Sequence, residues 1–545
     1  MLRALLLRRS VDLRRLARTW LVQSTAPYAS RDDVLAIGLL FVAFVIVLVR
    51  TAWVSDDAFI TFRVVDNFLH GNGLTWNAGE RVQAFTHPLW LLCISATCFI
   101  THGPYTASIA LSFCLSIATL SVVLRWIART TASRVFALVT AMLSVTFVTY
   151  STSGLENPLS HLLIVCAFAS TIAHDATPRS MFRIAAFAGL AMTNRLDLAL
   201  LVGPLVLFAL LRTRPRFKAF AALLLGLVPV LAWELFSIAY YGFPYPNTAY
   251  AKLGTGIDHT ELIGQGLCYL LNAINADPLA FVIIGGALTT VIACRAWFGV
   301  SAMAGALAYI AYVVWIGGDF MSARFFSAPV VMSLCVAVMH FPETISWPSG
   351  LALVGAGLLG LLNPVSPIRS DSTYEGKGSV IDKNGIADER AYYFSTTGLL
   401  NAQRSASIPP HGWARAALKD RKKGHRVEVM RNIGMYGYYA GPEVYIIDPY
   451  GLTDPLLARL PAKPNRNWRI GHFDREIPKG YEHTVISDKN LIEDPELAAY
   501  YDRLRRIIRD PVFSPGRWRD VIAMNFGAYQ GYIERFVKNG QPPKQ

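Results

Sequence analysis

Residues 34–63 read VLAIGLLFVAFVIVLVRTAWVSDDAFITFR, an apolar segment that is followed at once by an acidic pair. The apolar part, 34–53, is long enough to cross a bilayer, which takes roughly 20 residues. Asp56 and Asp57 then stand side by side, although adjacent carboxylates repel each other. Such pairs are kept where they bind a metal ion or sugar hydroxyls, or where one acts as a general base. The stretch predicts a membrane helix with a functional site at its end, and Ser55 is positioned to cap the next helix.

Similar apolar segments recur through the first two thirds of the chain. Of its 545 residues, 53% are hydrophobic and 16% are charged, whereas soluble domains carry about 25% charged residues. We therefore predict a polytopic α-helical membrane protein with about 11 transmembrane helices. The segment 88–101 is too short to span comfortably, so we expect a re-entrant or juxtamembrane helix on the outer face. The candidate spans are 34–53, 105–127, 134–152, 156–174, 181–193, 196–211, 217–240, 279–294, 299–317, 324–341 and 347–363.

The basic residues set the predicted orientation, because cytoplasmic loops collect Lys and Arg. The net charge is +14. The arginines lie beside apolar segments and at the termini, a pattern typical of membrane orientation and not of nucleic-acid binding. Arginines interleaved with leucines in 1–20 indicate an interfacial cytoplasmic helix. An odd number of crossings then places the C-terminus outside in a multi-pass protein of the inner (plasma) membrane. The predicted domains are a cytoplasmic segment, 1–33, a transmembrane domain, 34–366, with a first external loop, 54–104, and an extracytoplasmic domain, 367–545.

The segment 367–545 is expected to be water-soluble because it holds more than half of the charged residues. The strand-like run 444–447 and the helical run 497–509 predict a small α+β domain lying over the site. None of the seven cysteines follows Cys335, so neither a disulfide framework nor a thiolate zinc site is expected there. Several aromatic side chains suit either stacking on sugars or packing in the domain core. They are Tyr436, Tyr438, Tyr439, Trp468 and Tyr481.

On this topology the unusual polar clusters all fall on the external side of the membrane. Ionisable residues near a bilayer are costly and usually line a cavity or mark a site. Five clusters on one face predict an active site that is reached laterally from the lipid, with ordinary solvated loops as the alternative. The clusters are 56–87, 153–157, 194–197, 241–252 and 317–324.

Nine short motifs run in order through both halves of the chain: DDAFITFR (56–63), GNGLTWN (71–77), GERV (79–82), FTHPLW (85–90), GLENPL (154–159), PNTAYAK (246–252), GGDFMSARFF (317–326), DPYGLTDP (448–455) and GH (471–472). An acidic pair in the first external loop resembles the C-type (GT-C) glycosyltransferase superfamily. Within it, the motifs resemble the mycobacterial terminal β-(1→2)-arabinofuranosyltransferases and their bacterial relatives. One departure is Asn194-Arg195-Leu196-Asp197, where relatives more often read Arg-Pro-Asp, but a basic and an acidic residue remain.

The resemblance implies a membrane glycosyltransferase (a pentosyltransferase of envelope biogenesis). It would move a sugar, D-arabinofuranose, from a polyprenyl-phosphate donor in the lipid bilayer to an extracytoplasmic polysaccharide or glycoconjugate. Two alternatives stay open: transfer of another prenyl-linked sugar to a surface protein or lipid, and a non-enzymatic membrane assembly or motor-control factor. A transporter would place ionisable residues at the membrane midplane, whereas here they gather at one face. Gly71-Asn72-Gly73 lacks the β-α-β context of a nucleotide loop, which agrees with a lipid-linked donor.

Transfer needs a carboxylate, because departure of the phosphate leaves an oxocarbenium-like sugar. We assign Asp56 as general base and Asp57 as its sugar-binding or stabilising partner, and the reverse assignment stays open. The anionic leaving group needs cations where lipid meets water. Lys252, Arg195 and Arg324 are the external candidates for binding the donor phosphate.

Each cation also has a purely structural interpretation: Arg324 would pair with Asp319, Arg195 with Asp197, and Lys252 would snorkel. His87 suits a hydrogen-bonded structural role or a proton shuttle, and Glu156 suits a helix cap or a sugar ligand. The substrate-binding candidates are Arg63, Asn77, His87, Glu156, Asp197 and Asp319.

We predict no cofactor. A divalent metal beside two carboxylates stays open, although no Asp-x-Asp motif or histidine cluster supports one. The resemblance does not fix whether the anomeric configuration is retained or inverted, and a single displacement assisted by one base would invert it.

Overall fold

The computed structural model describes residues 30–342, 347–369, 380–401, 409–424, 426–464 and 468–540. The predicted interfacial helix in 1–20 lies outside the described residues. The part before residue 363 is helical, and every predicted span coincides with one or two helices. The helices are α1 (Arg31–Thr51), α2 (Asp56–Leu69), α3 (Pro88–Thr101), α4 (Pro104–Val122, continued by a π turn to Ile127), α5 (Thr131–Leu143), α6 (Val145–Thr149), α7 (Asn157–Ile172), α8 (Pro178–Asn194), α9 (Leu198–Arg212), α10 (Arg216–Gly226), α11 (Val228–Tyr240), α12 (Asn247–Leu253), α13 (His259–Ala276), α14 (Pro278–Cys294), α15 (Trp297–Trp315), α16 (Ser327–Met339) and α17 (Trp347–Leu362).

Fewer helices than expected are long enough to cross a membrane alone. Within the described ranges, α1, α4 with its π turn, and α15 are long and apolar enough. Two bent pairs raise the number to five if each is one span: α10 with α11, bent by 49°, and α13 with α14, bent by 102°. The other apolar helices have 10–17 residues, so the number 11 remains a prediction.

Besides the bend within 217–240, the structure differs from the predicted spans at two places. Residues 134–152 form two helices, because Ser144 ends α5 and its hydroxyl accepts a hydrogen bond from the Phe147 amide to begin α6. The same hydroxyl donates to Asp277 at 2.7 Å, which fixes the break against the start of α14. The second difference is α13, which lies outside all of the predicted spans because polar residues interrupt its apolar pattern.

Glycines let the membrane helices approach one another closely. A Cβ atom at Gly305 in α15 would lie 2.1 Å from the carbonyl oxygen of Leu201 in α9. A Cβ at Gly266 in α13 would lie 2.0 Å from the carbonyl oxygen of Val314. Small residues are typical of such crossings, because there packing and not the hydrophobic effect holds helices together. The contacts fix α15 between its neighbours and thereby position the polar segment that follows it.

The described part of the C-terminal region combines short helices with two strands. The strands β1 (Val427–Val429) and β2 (Tyr445–Ile447) pair in parallel, with Val427 opposite Tyr445. Behind them, Ile447 packs in a second hydrophobic core with Leu497, Leu504 and Ile507. The helices of this region are α18 (Glu389–Thr397), α19 (Gly412–Lys422), α20 (Met435–Ala440), α21 (Tyr481–Ser487), α22 (Pro495–Arg509), α23 (Pro515–Asn525) and α24 (Gln530–Gly540).

The first loop connects this region to the membrane helices. The Arg63 guanidinium is buried and donates hydrogen bonds to the carbonyl oxygens of Gly437 and Val444. The Asn77 side chain both accepts from the amide of Ile446 and donates to its carbonyl oxygen, each at 3.1 Å. Because these partners flank β2, the C-terminal region is held directly over α2.

Candidate active site

One cavity of about 370 Å³ lies between the membrane helices and the C-terminal region. Its wall includes the acidic pair and residues from the motifs that were separate in the sequence. Of the predicted site residues, Asp56, Asp57, His87, Arg195, Lys252 and Arg324 line it. Further polar and aromatic side chains on the wall are Glu389, Tyr392, Tyr393, Trp413, Arg431, Tyr450, Arg469 and His472.

The carboxylate of Asp56 is held by the backbone of the C-terminal region. Ser55 caps α2, as expected, by accepting a hydrogen bond from the Ala58 amide at 3.4 Å, which directs Asp56 toward the start of α20. There Asp56 Oδ1 accepts a hydrogen bond from the Met435 amide at 2.7 Å. A Cβ atom on Gly434 would lie 2.4 Å from Asp56 Oδ2, so only glycine leaves room for this contact.

Burial raises the pKa of Asp56 to about 7, and the charge of Asp57 adds to the rise, while the amides of Met435 and Gly434 oppose it. A general base works best when its pKa lies near the operating pH. The environment of Asp56 therefore suits proton acceptance from a hydroxyl group.

Asp57 is the more exposed member of the pair. Burial raises its pKa, and the cations Arg324 and Lys252 counteract this rise. Among the described residues, none donates a hydrogen bond to its carboxylate. Asp57 is thus an open carboxylate within the electrostatic reach of the cations on the wall.

Glu156 is the centre of a buried ion network behind the cavity. Its carboxylate accepts from Arg195 Nη1 at 2.8 Å and from Arg324 Nη2 at 3.1 and 3.2 Å. His87 Nδ1 lies 3.4 Å from Glu156 Oε2. Two guanidinium groups thus share one buried carboxylate, and the His87 ring lies beside it. Of the two roles considered for Glu156, helix capping is not observed: the residue occupies the N-cap position of α7, but its side chain makes no capping hydrogen bond.

The two arginines of this network also contact the carboxylates expected from the sequence. Arg195 Nε donates to Asp197 at 3.0 Å, and Asp197 also accepts from the Tyr309 hydroxyl at 3.3 Å. Arg324 Nη1 lies 3.6 Å from Asp319, farther than its contact with Glu156. Arg324 Nε is buried without a hydrogen-bond partner in the described chain, so one donor of the guanidinium is available to a ligand.

Lys252 differs from both arginines because it is exposed and forms no ion pair with any described residue. Its helix, α12, is anchored by Asn247, whose amide donates to the carbonyl oxygens of Gly451 and Asp454 at 2.9 and 3.0 Å. The ammonium group therefore reaches the cavity from a fixed helix without a counter-charge of its own.

His87 has the features of a hydrogen-bonded structural histidine. Its Nε2 lies 2.8 Å from the Thr61 hydroxyl, and the ring is buried. Burial lowers the pKa of His87 to about 4, against the effect of Glu156. The ring is therefore neutral at physiological pH.

Arg63 and Asn77 do not line the cavity, although both were predicted to bind substrate. Their polar groups are used by the backbone of the C-terminal region, and the Arg63 guanidinium also lies 4.3 Å from the centre of the Trp76 ring. Glu156, Asp197 and Asp319 likewise lie behind the wall, where they hold Arg195 and Arg324.

The five aromatic residues considered for either sugar stacking or core packing make contacts within the protein. Tyr436 bonds Asp420 at 3.1 Å, Trp468 bonds Glu261 at 3.2 Å, and Tyr481 bonds Asp454 at 3.0 Å. Tyr438 and Tyr439 pack against Phe59. The aromatic residues that do line the cavity were not singled out, because no periodicity marks which ring of a water-soluble region faces a cavity.

The described residues contain no group of three or more His, Cys, Asp or Glu side chains placed to hold a metal ion. Of the acidic pair, Asp56 is already bonded to a backbone amide.

The fold and the site define a class before any close relative is considered. The structure is similar to that of ArnT from Cupriavidus metallidurans in the apo state, with a TM-score of 0.50 and 15% sequence identity, over 77% of this chain and 86% of that one. At this identity the likeness concerns the fold alone.

Sequence relatives make the resemblance more particular. The chain is similar to the terminal β-(1→2)-arabinofuranosyltransferase of Mycobacterium tuberculosis, with 26% identity over 83% of this chain and 85% of the relative. It is 28% identical to the enzyme of the same name from Corynebacterium glutamicum, over 55% of this chain and 50% of that protein. No family model matches the chain. The resemblance predicted from the motifs is confirmed, and it supports a membrane glycosyltransferase.

Proposed function

We propose that this protein transfers D-arabinofuranose from a polyprenyl-phosphate donor to an extracytoplasmic glycan or glycoconjugate. It works in the inner (plasma) membrane, with the segment 1–33 in the cytoplasm, 34–366 crossing the bilayer and 367–545 outside. The observation that supports this most is the single cavity in which the acid pair faces Lys252 and Arg324. A sugar linked to a lipid phosphate requires cations for its phosphate and carboxylates for its sugar, at the level where a membrane helix ends.

The donor phosphate is proposed to bind between Lys252 and Arg324. Lys252 has no counter-charge among the described residues, and Arg324 keeps an unused Nε donor. Arg195 supports this site from behind, because Glu156 holds it beside Arg324. The lipid tail can stay in the bilayer, since the ends of membrane helices form one side of the cavity.

The chemistry follows from the two carboxylates. The bond between the anomeric carbon and the phosphate oxygen breaks, and that bond's electron pair leaves with the polyprenyl phosphate. Asp57, near the cations, stabilises the positive charge that develops on the sugar. The oxygen of the acceptor hydroxyl forms the new bond to the anomeric carbon, and Asp56 accepts the proton that this hydroxyl loses. The lipid phosphate departs as an anion, so no general acid is required on the leaving side.

The test is transfer by the purified full-length protein from a panel of radiolabelled polyprenyl-phosphate sugars. We expect the arabinofuranosyl donor to be used, and Asp56→Asn and Asp57→Asn each to lower turnover by at least about 100-fold, the scale of lost general-base catalysis. Asp66→Asn is the matched control, because Asp66 lies on the same helix and contacts His70 outside the cavity. Transfer from a different sugar donor would show that arabinofuranose is not the transferred sugar. Wild-type turnover in both Asp56→Asn and Asp57→Asn would refute the mechanism.

A further inference from the structure

The cavity contains a third carboxyl group, Glu389, which the proposed mechanism does not use. Its side chain is 9% exposed, and it is part of the cavity wall. No described residue donates a hydrogen bond to it, although a buried polar group normally finds a partner. A buried carboxyl group without a hydrogen-bond partner is suited to bind a ligand that supplies the hydrogen bond.

The backbone fixes Glu389 beside the acid pair from both ends of α18. Before the helix, the Ala387 amide donates to the Phe320 carbonyl oxygen at 2.7 Å. At its end, the Thr397 hydroxyl donates to the carbonyl oxygen of Val54 at 2.6 Å, two residues before Asp56. The helix is therefore tied both to the segment after α15 and to the segment after α1, so Glu389 cannot move away from the site independently.

The electrostatic surroundings divide the cavity into two sides. Arg324 and Lys252 act on Asp57, whereas Glu389 is influenced most by Asp57 and Asp56 and less by Arg469. Burial and the two aspartates raise the pKa of Glu389 well above its usual range. A protonated carboxyl group both donates and accepts hydrogen bonds, as a sugar hydroxyl does.

Aromatic rings stand next to Glu389 on the same wall. Tyr392, one helical turn further along α18, is 46% exposed, and its ring centre lies 6.3 Å from that of Trp413. Both rings line the cavity. Aromatic faces beside a hydrogen-bonding group combine apolar contact with orientation, which is how ligand sites usually select their ligands.

We propose that Glu389, Tyr392 and Trp413 form the acceptor subsite, which binds a neutral saccharide. Its terminal sugar packs on the two rings, one hydroxyl bonds Glu389, and the hydroxyl that is to be glycosylated points toward Asp56. An anionic acceptor is disfavoured there, because the carboxylates of Asp56 and Asp57 lie beside the position. This inference rests on the proposed function, since it divides one cavity between a donor on the cationic side and an acceptor on the aromatic side.

The first measurement separates the two substrates kinetically with the full-length protein. Glu389→Ala and Trp413→Ala should each raise KM for the acceptor by at least about 10-fold, the effect of losing one good contact, with donor KM unchanged. Glu389→Gln keeps the shape and both hydrogen-bonding functions of a protonated carboxyl group, so it should raise acceptor KM much less than Glu389→Ala. Glu443→Ala, an exposed glutamate of the same region, is the control.

The second measurement does not need turnover. Saturation-transfer NMR detects binding of a synthetic neutral pentofuranosyl trisaccharide to the full-length protein. The wild type should bind it, and Glu389→Ala should bind at least about 10-fold more weakly. Equal binding by the wild type and Glu389→Ala, or a change in donor KM alone, overturns the acceptor subsite. Binding that depends on Glu389 in a protein that transfers no sugar would instead support the subsite and refute the proposed transfer.

Discussion

Glu156 offers the most direct way to perturb the cationic wall without touching the cavity. It is fully buried, and its two oxygens are shared by Arg195 and Arg324. Glu156→Ala keeps both arginines in the chain but removes the carboxylate that they share and that holds them in position. Asp197 and Asp319 remain, yet Asp319 lies 3.6 Å from Arg324 and replaces only part of the lost interaction.

The expected magnitude follows from the burial of the network. Removing one partner of a buried ion pair destabilises a protein by about 3–5 kcal/mol, because an uncompensated charge stays buried. For a chain of this size we expect the apparent Tm of Glu156→Ala to fall by about 3–4 °C. Glu156→Gln retains the volume and one acceptor oxygen, so it should lose less. The double variant Glu156→Ala/Arg324→Ala should recover part of the loss, since one unpaired charge is gone.

The assay is thermal unfolding of the purified protein in detergent, followed by intrinsic fluorescence at one scan rate, with Glu443→Ala as the control. Donor KM is measured on the same preparations and should rise, because both arginines lose their fixed positions. A Tm for Glu156→Ala within about 1 °C of wild type would refute the ion network as a stabilising element. A double variant less stable than the single variant would show that Arg324 contributes through other contacts.

Three further results are expected. Lys252→Ala should raise donor KM by about 10-fold, as loss of a charge-assisted phosphate contact does. It should not lower Tm, because Lys252 forms no ion pair with described residues. An effect on kcat alone would contradict this role. Gly434→Ala should lower kcat by at least about 10-fold, because its Cβ would lie 2.4 Å from the Asp56 carboxylate, whereas Gly412→Ala, which meets nothing within 4 Å, should not. In the wild type, kcat should rise with pH through about 7 as Asp56 loses its proton, and then level off; a decrease through this range would make Asp56 an acid.

The acid pair could be predicted from the sequence because its signal is local. A long apolar segment, a capping serine and two carboxylates are adjacent in the chain, so neither packing nor topology is needed to place them together. Glu389 lacked such a signal, since it reaches the same cavity from more than 300 residues away. Only the ties of α18 to Phe320 and Val54 show that it belongs there.

Arg63 shows why residue type alone does not distinguish a binding group from a structural one. A charged residue near the membrane is expected to face a cavity, but a guanidinium has five donors, and here backbone carbonyl oxygens satisfy most of them. Two of these partners, Gly437 and Val444, lie in the C-terminal region, which the local sequence around Arg63 cannot reveal. The missed helix α13 has a different cause, because its polar residues weaken the apolar pattern while its packing against α15 stabilises it.

The central claim is that the acidic pair, Lys252 and Arg324 act on one lipid-linked sugar in one cavity. A structure of the protein with a non-hydrolysable phosphonate analogue of polyprenyl-phosphate arabinofuranose tests it most directly. The account predicts the phosphonate within hydrogen-bond distance, about 3 Å, of Arg324 Nε and Lys252 Nζ, with the anomeric carbon facing Asp57. A phosphonate bound outside this cavity, or bound there with its sugar directed away from Asp56 and Asp57, would contradict it.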